Sequence, residues 1–259
     1  MGLPLLLTRP RGGANVVAPF SPLDIAGLVA WYDFSDTTTL FTDSAMTIPV
    51  TADGDPIGGV KNKANPGTFD QTQATSTKKP TYKASIFNGL SIARLDGGDK
   101  LASARIYTDD LFTVIAIVSG AAQQNNAVVS QHSGVAEVGR TIFINADSAG
   151  APFDTHLLFF NNGSSFAVIG TTVSLDSTPH VMISMSDGAG NSDVRMDSLT
   201  KEATLSGQTW TPLNTSATLG GIVTDANFFT GDLCEIMCYN TYVSNADLAG
   251  LLTYGARWQ

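Results

Sequence analysis

The chain has 259 residues, of which 43% are hydrophobic, enough for the core of one large β domain or of two smaller ones. Only 14% of the residues are charged and the net charge is -9, which excludes nucleic acid and anionic membranes as partners because both require a basic protein surface. Of the 23 acidic residues, only Glu137, Glu202 and Glu235 are glutamates. Aspartate favours turns over helix interiors, so the composition predicts a β-rich, turn-rich protein.

Residues 1–20 predict an extended N-terminal arm, because three prolines interrupt any regular structure there. The two interpretations are a frayed terminus and an arm that orders against a partner chain, which would cover its apolar side chains. No positively charged segment precedes the short leucine run, so we expect no signal peptide and no membrane span. The residues assigned to the assembly arm are Leu3, Leu5, Leu6, Leu7, Arg9 and Arg11.

From Ser21 onward, short apolar runs alternate with turn residues, a pattern that predicts a β-sandwich or barrel. Ser21 is also a candidate cap for a single helical turn, with Asp24 in that turn. The segment NNGSS at 161–165 predicts a hairpin with Asn162 and Gly163 at its turn. The predicted strands are 111–119, 140–145, 156–160, 165–170, 180–186 and 217–222.

The end of the chain predicts a strand followed by a short amphipathic helix. Ser244 is the candidate N-cap, Asp247 takes the reciprocal capping position and Val243 staples onto Leu248. We predict one buried helical face, formed by Leu248, Leu251, Leu252 and Trp258.

Two cysteines, Cys234 and Cys238, lie in that last strand. Alternation predicts that they share a face with their Cα atoms about 13 Å apart, which is too far for a disulfide. No third cysteine and no histidine spacing supports zinc, so we interpret both as small buried hydrophobic residues of a protein made in a reducing compartment.

The ending GDLCEIMCY (231–239), with the helix segment SNAD after it, resembles the closing of laminin-G-like domains of the concanavalin A-like lectin/glucanase superfamily. The front half agrees: Trp31, Asp33 and Ser35 form a Trp-x-Asp-x-Ser pattern, and residues 94–97 form an Arg-Leu-Asp-Gly turn, as in such domains of tailed-bacteriophage structural proteins. The resemblance implies an all-β fold over residues 21–259. That fold is a two-sheet antiparallel jelly-roll sandwich with a short C-terminal helix and with the last strand beside the first.

The same resemblance implies a non-enzymatic virion structural protein, either a capsid decoration protein or a tail accessory protein. We expect a homo-oligomer that contacts other virion proteins through residues 1–20 and is made in the host cytoplasm without a signal peptide. The alternative is an adhesin module of a tail fibre or baseplate that binds host glycan. A glycoside hydrolase is the less favoured third class. It is kept as an alternative because one fold hosts many functions.

The sequence contains no recognisable catalytic motif. The Glu-x-Asp-x-Glu strand of the superfamily's glucanases is absent, and Glu235 stands alone among apolar neighbours. Asp193 and Asp197 share a strand face with Arg195 between them, which predicts a neutralised, exposed ladder. We therefore expect no enzyme activity.

Loop aspartates are candidate Ca²⁺ ligands, since carboxylate and carbonyl oxygens suit that ion, but Asp-Gly pairs are also ordinary turn residues. No other cofactor is expected. For glycan binding, Trp210 is the candidate aromatic platform, whereas Trp31 and Trp258 are predicted to be core. The candidate metal ligands are Asp53, Asp55, Asp96, Asp99, Asp187 and Asp193.

Overall fold

The computed structural model describes residues 19–120, 126–132, 139–144, 155–161, 166–207 and 215–259. These residues form seventeen strands, one α-helix and four short 3-10 helices. No helix in these ranges combines the length and the apolar character needed to cross a membrane. The strands are β1 (Leu28–Asp33), β2 (Leu40–Phe41), β3 (Gly59–Val60), β4 (Gln71–Thr72), β5 (Thr81–Phe87), β6 (Leu90–Asp96), β7 (Leu101–Ser103), β8 (Leu111–Ser119), β9 (Asn126–His132), β10 (Gly139–Ile144), β11 (Thr155–Asn161), β12 (Phe166–Ser174), β13 (His180–Asp187), β14 (Ser192–Met196), β15 (Ala203–Leu205), β16 (Ala217–Leu219) and β17 (Thr230–Tyr239).

The strands form two antiparallel sheets, which confirms the predicted two-sheet sandwich. The eight-stranded sheet has the order β15-β14-β13-β8-β17-β6-β5, with β1 also paired to β17. The nine-stranded sheet has the order β12-β11-β10-β9-β16-β7-β4-β3-β2. The long last strand lies at the centre of the first sheet. One edge of β17 pairs with β8, and the other pairs first with β6 and then with β1, so the C-terminal strand lies beside the N-terminal one as expected.

The eight-stranded sheet is buried on both faces. Its inner face packs against the nine-stranded sheet and contributes Val114 and Val118 of β8 to the main core. Its outer face, with Ile115 and Ile117 of the same strand, is covered by a second apolar layer. This double burial explains why β8 has an almost continuous apolar sequence rather than an alternating one.

The C-terminal helix α1 (Asn245–Gly255) supplies most of the outer cover. Ser244 is its N-cap, accepting the backbone N–H of Asp247 at 3.2 Å, as predicted. Leu248, Leu251 and Trp258 are at most 1% exposed, as the predicted helical face requires, whereas Leu252 is only partly buried. Because this cover closes the outer face, the sandwich has three layers along much of its length.

A β-bulge in β17 corrects the prediction that the two cysteines share a face. The register against β8 shifts between Leu233 and Glu235, so Cys234 is an extra residue in the strand. Cys234 therefore packs in the outer layer, whereas Cys238 packs in the core between the sheets. Both thiols are free and buried, as expected.

The predicted strand at 217–222 is shorter than expected. It ends at Leu219 because Gly220 has φ +84°, and a Cβ there would lie 2.1 Å from Cδ2 of Leu95. Strands β11 and β12 pair as the predicted hairpin requires, with Asn161 opposite Phe166. The predicted turn residues Asn162 and Gly163 lie outside the described residues.

Candidate functional site

A cleft of about 410 Å³ lies beside the outer face of the eight-stranded sheet, where β8 ends and β17 begins. Its walls are mainly apolar, with a few polar groups, which is the usual composition of a small-molecule site. We call it the Arg94 cleft. Its lining includes the side chains of Ile86, Phe87, Arg94, Ser119, Thr230 and Asp232.

The apolar wall of the Arg94 cleft comes from the end of β5. Ile86 is 38% exposed and is one of four large hydrophobic side chains among the described residues that are more than a third exposed. Phe87 is half-buried and packs with its other side against the outer apolar layer. A ligand that covered Ile86 would remove this apolar surface from water, which stabilises the complex by about 25 cal/mol per Å² of buried apolar surface.

The polar side of the cleft is the ion pair between Arg94 and Asp232. These residues face each other across β6 and β17. Nε of Arg94 donates to Oδ1 of Asp232 at 2.8 Å and Nη2 donates to Oδ2 at 3.0 Å, a bidentate arrangement. The hydrogen bonds to Asp232 raise the pKa of Arg94, so the guanidinium stays charged.

Both members of this pair keep spare hydrogen-bonding capacity. The Arg94 side chain is 45% exposed and the Asp232 side chain is 10% exposed. Nη1 of Arg94 makes no hydrogen bond to the described residues, and each carboxylate oxygen has a second lone pair. The pair therefore presents N–H donors and carboxylate acceptors side by side.

The bulge at Cys234 is what places Asp232 on the outer face. Glu235, Met237 and Tyr239 all face outward, so strict alternation would turn position 232 inward, into the apolar core. The extra residue reverses the phase, and Asp232 instead comes to lie opposite Arg94. A bulge that re-aims a polar side chain in this way is typical of functional sites in sheets.

Glycine allows two strands to approach closely at the Arg94 cleft. Gly231 has φ +154°, and a Cβ there would lie 2.4 Å from the carbonyl oxygen of Ser119. The close approach of the two strands thus requires glycine at this position. A side chain at position 231 would also collide with the buried ring of Phe229, whose Cζ would lie 2.5 Å from the Cβ.

The charges around the cleft cancel. Arg94 pairs with Asp232, and nearby Lys83 pairs with Asp53 at 3.2 Å. A ligand that carried a full charge would gain no unpaired counter-charge from these residues. The cleft therefore suits a neutral molecule with hydroxyl groups and an apolar face.

Three residues further along β17, Glu235 occupies a closed polar cluster. It is 0% exposed and accepts four hydrogen bonds. Trp31 and Tyr254 donate to Oε1 at 2.5 and 2.8 Å, and Arg257 and Trp258 donate to Oε2 at 2.6 and 3.1 Å. Because these donors come from β1, α1 and the last residues, we call the cluster the C-terminal clasp.

Asp33 of β1 lies directly opposite Glu235, so the fold brings together a carboxylate pair that the sequence did not reveal. Arg257 bridges the two carboxylates, lying 3.2 Å from Asp33 and 2.6 Å from Glu235. Burial raises the pKa of Glu235, and the charge of Asp33 adds to the rise, although Arg257 opposes it. Both carboxylates are at most 3% exposed, and neither lines the Arg94 cleft.

The aspartates predicted to bind calcium in the first loop form local turn contacts. Asp53 pairs with Lys83, and Asp55 accepts the backbone N–H groups of Thr51 and Ala52, both at 2.9 Å. These contacts occupy the carboxylates with donors that a cation would displace.

The second predicted pair closes a turn. Asp96 accepts the N–H of Gly98 at 3.0 Å, and Asp99 accepts the N–H of Asp96 at 3.1 Å. Burial raises the pKa of Asp99 to about 6.

The third predicted pair, Asp187 and Asp193, does come together, in a second cleft at the edge of the sheet. Asp193 is 2% exposed and pairs with buried Arg195 at 2.8 Å, so the predicted exposed ladder is in fact a buried ion pair. Within the described ranges, no three Asp, Glu, His or Cys residues are placed to hold a metal ion. Calcium binding stays an untested prediction.

Two other predicted sites fall outside the described residues. Trp210 and the whole set of arm residues, from Leu3 to Arg11, belong to the ranges for which the structure gives no description. Trp31 and Trp258 are 6% and 1% exposed, which confirms their assignment to the core.

The residues of the Arg94 cleft were missed as site residues by sequence reasoning. Arg94 was interpreted only as part of a turn motif, and Asp232 only as part of the ending GDLCEIMCY (231–239). A signal did exist, because LSIARLD places one arginine among apolar residues on the face that otherwise carries Ile92. Their pairing was not visible, since 138 positions separate them in the chain.

No protein-family model matches the chain. No curated protein matches it either. Several solved structures have a similar fold.

The CBM40 domain of the Ruminococcus gnavus IT-sialidase is similar over 62% of this chain and 96% of that domain, with 12% identity and a TM-score of 0.50. A GH54 α-L-arabinofuranosidase is similar over 89% of this chain and 63% of its own, with 12% identity and a TM-score of 0.65. The binding domain of botulinum neurotoxin serotype D is similar over 88% of this chain and 52% of its own, with 7% identity and a TM-score of 0.59. At these identities the likeness establishes the fold alone, a β-sandwich shared with carbohydrate-binding domains.

Proposed function

We propose that this protein is a non-enzymatic glycan-binding module that holds one residue of a neutral saccharide in the Arg94 cleft. The observation that carries the proposal is the bidentate Arg94–Asp232 pair beside the exposed apolar wall of Ile86 and Phe87. The β-sandwich fold, shared with a CBM40 domain, supports it by analogy. The proposal corresponds to the glycan-binding alternative of the sequence analysis and is independent of any phage origin.

The chemistry of a sugar ring fits this arrangement. A pyranose has an apolar C–H face, suited to the wall of Ile86 and Phe87, and hydroxyl groups that both donate and accept hydrogen bonds. Two neighbouring hydroxyls match the pair, because one donates to the Asp232 carboxylate while the other accepts from the Arg94 guanidinium.

Hydrolysis is not part of the proposal. A glycosidase needs two carboxyl groups that flank the scissile bond in an open cleft. The pair that the fold brings together, Asp33 and Glu235, is sealed under the C-terminal clasp. Turnover of any member of a polysaccharide panel would contradict this part of the proposal.

The first experiment is a screen of the labelled protein on a glycan array, followed by calorimetry with the best neutral oligosaccharide. We expect Asp232→Asn to weaken binding at least about tenfold, because a good hydrogen bond to a charged group contributes roughly 1.5–3 kcal/mol. Ile86→Ser tests the apolar wall and should weaken binding less. Asp225→Asn is the control, since Asp225 also forms ion pairs, with Lys78 at 2.7 Å and Lys100 at 2.6 Å, but away from the cleft.

Two results would contradict the proposal: no binding to any glycan, or binding that Asp232→Asn leaves unchanged. Loss of binding in Trp210→Ala, with normal binding in Asp232→Asn, would move the site to the platform expected from the sequence. Circular dichroism of each variant shows whether it is folded.

The virion role expected from the sequence is a separate proposal, with no support among the compared structures. What favours it is the apolar composition of residues 1–20. Light scattering on the full chain and on a version without these residues tests it. A folded monomer after truncation of an oligomeric full chain would support an assembly arm, and equal masses would remove the argument.

A further inference from the structure

A second cleft, of about 480 Å³, lies at the opposite edge of the eight-stranded sheet, where β13 ends and β14 begins. We call it the Tyr242 cleft. It has a more polar lining than the Arg94 cleft and includes Asp187, Asn191, Ser192, Asp193, Lys201 and Tyr242.

A buried carboxylate organises this cleft. Asp193 is 2% exposed; its Oδ1 accepts from Nε of Arg195 at 2.8 Å, and its Oδ2 accepts from the Tyr242 hydroxyl and lies 3.0 Å from Nζ of Lys201. Burial opposes ionisation, but Arg195, Tyr242 and Lys201 hold the pKa of Asp193 below its usual value. The carboxylate therefore stays charged and fixes the tyrosine and the lysine at the cleft.

Two polar groups of the Tyr242 cleft keep hydrogen-bonding capacity that the described part of the chain does not use. The amide of Asn191 donates to Asp187 at 2.7 Å, which leaves its carbonyl oxygen unused. The Lys201 side chain is 48% exposed and has a further N–H to donate.

A ligand with hydroxyl groups can donate to the carbonyl oxygen of Asn191 and accept from Nζ of Lys201. Charge again favours a neutral ligand, because Asp187 and Asp193 balance Lys201 and Arg195. The half-buried ring of Tyr242 offers a flat surface, with Nζ of Lys201 lying 5.6 Å from its centroid.

The two clefts are too far apart to hold one sugar residue. Strand β8 starts at Leu111, opposite Asp187 of the Tyr242 cleft, and ends at Ser119, which lines the Arg94 cleft. Nine residues of extended chain span about 30 Å. Each cleft would thus engage a separate part of a glycan surface.

We propose that the Tyr242 cleft is a second saccharide-binding site, which rests on the proposed function and makes the module bivalent. Binding at one cleft then raises the effective concentration of glycan at the other. On a glycan-coated surface this increases avidity by about 100-fold or more over a single site, without any new contact.

The test uses the full chain and a panel of neutral monosaccharides and disaccharides, titrated while amide NMR signals are recorded. We expect two sets of shifted signals, one near residues 191–193 and one near residues 230–232. Tyr242→Phe and Lys201→Met should weaken the first binding event at least fivefold and leave the second unchanged. Lys78→Met, which removes an exposed, ion-paired lysine elsewhere, is the control and should change neither.

The outcomes separate the two proposals. A single set of shifts that Asp232→Asn abolishes overturns the second site and keeps the first. Shifts that respond only to Tyr242→Phe and Lys201→Met keep the second site and overturn the first. Absence of any shift with the whole panel overturns both.

Discussion

Asp232 and Glu235 lie three residues apart on β17 and point to the same face of the eight-stranded sheet, yet their surroundings differ completely. Asp232 has one charged partner, Arg94, and borders an open cleft. Glu235 has four donors and no exposed surface, because Tyr254, Arg257 and Trp258 close over it.

The difference shows that the cover over a sheet decides what a carboxylate can do. Where the C-terminal residues end, a carboxylate keeps free lone pairs and is available to a ligand. Where they cover the sheet, every lone pair is used and the same chemical group joins three segments of the chain. Residues Trp31, Asp33 and Ser35, which carried the family resemblance, belong to the covered region: Trp31 donates to Glu235, and the Ser35 hydroxyl donates to Asp33 at 2.6 Å.

The largest expected effect is the difference in stability between two single variants, Glu235→Ala and Asp232→Ala. Glu235→Ala leaves buried N–H and O–H donors without an acceptor and should lower the free energy of unfolding by about 4 kcal/mol. Asp232→Ala breaks a partly exposed pair and should lower it by less than about 1 kcal/mol while it abolishes glycan binding at the Arg94 cleft. Urea denaturation of both variants measures the difference, and equal stability losses would contradict the distinction between covered and open regions.

The two thiols test the bulge that separates these regions. Burial raises the pKa of both thiols, that of Cys238 to about 12, so little thiolate is present at neutral pH. A thiolate of higher pKa is a better nucleophile, which compensates in part for the low thiolate fraction. We therefore expect both thiols to react with an aromatic disulfide reagent about 100-fold more slowly than a free thiol does.

A truncation sharpens this test. Removal of residues 256–259 takes Trp258 from the outer layer, which also contains Cys234 but not Cys238. We expect Cys234 to become reactive first, as mass spectrometry of the labelled peptides would show. Equal labelling of both thiols would mean that they do not lie in separate layers.

The smallest expected change in stability concerns a partly exposed counterpart of the clasp, His180 with its aspartates. Nδ1 of His180 lies 2.6 Å from Asp197 and Nε2 lies 3.4 Å from Asp176, and these contacts raise the pKa of His180. Since the folded pKa exceeds the unfolded value of about 6.5, the stabilisation is complete below that pH and is lost as the pH rises through the folded pKa.

For an ion pair as exposed as the one between His180 and Asp197, the free energy of unfolding should fall by about 0.5 kcal/mol. Urea midpoints at about pH 6 and about pH 9 measure it, and His180→Gln should show a smaller decrease than the parent protein. An identical decrease in both proteins would show that other groups cause it.

Local features were predictable because neighbouring residues determine them. Ser244 caps the helix through a contact with Asp247 three residues away, and the apolar sequence of β8 follows from burial on both faces. The phase of Cys234 was not predictable, since the bulge exists only in the register between β17 and β8. The same holds for Arg195, which was expected to be exposed but is covered by the segment that contains Asn245, 50 positions later.

By itself, the sequence determined the β-rich class and the central strands of the eight-stranded sheet. It also determined the capped C-terminal helix and the burial of Trp31 and Trp258. These features depend on periodicity and capping, which act over a few residues. The tertiary structure decided which polar residues meet: Arg94 with Asp232, Asp193 with Tyr242 and Glu235 with Arg257. These contacts depend on strand order, register and one extra residue in β17. Which carboxylates are open and which are sealed is settled only when distant segments pack together.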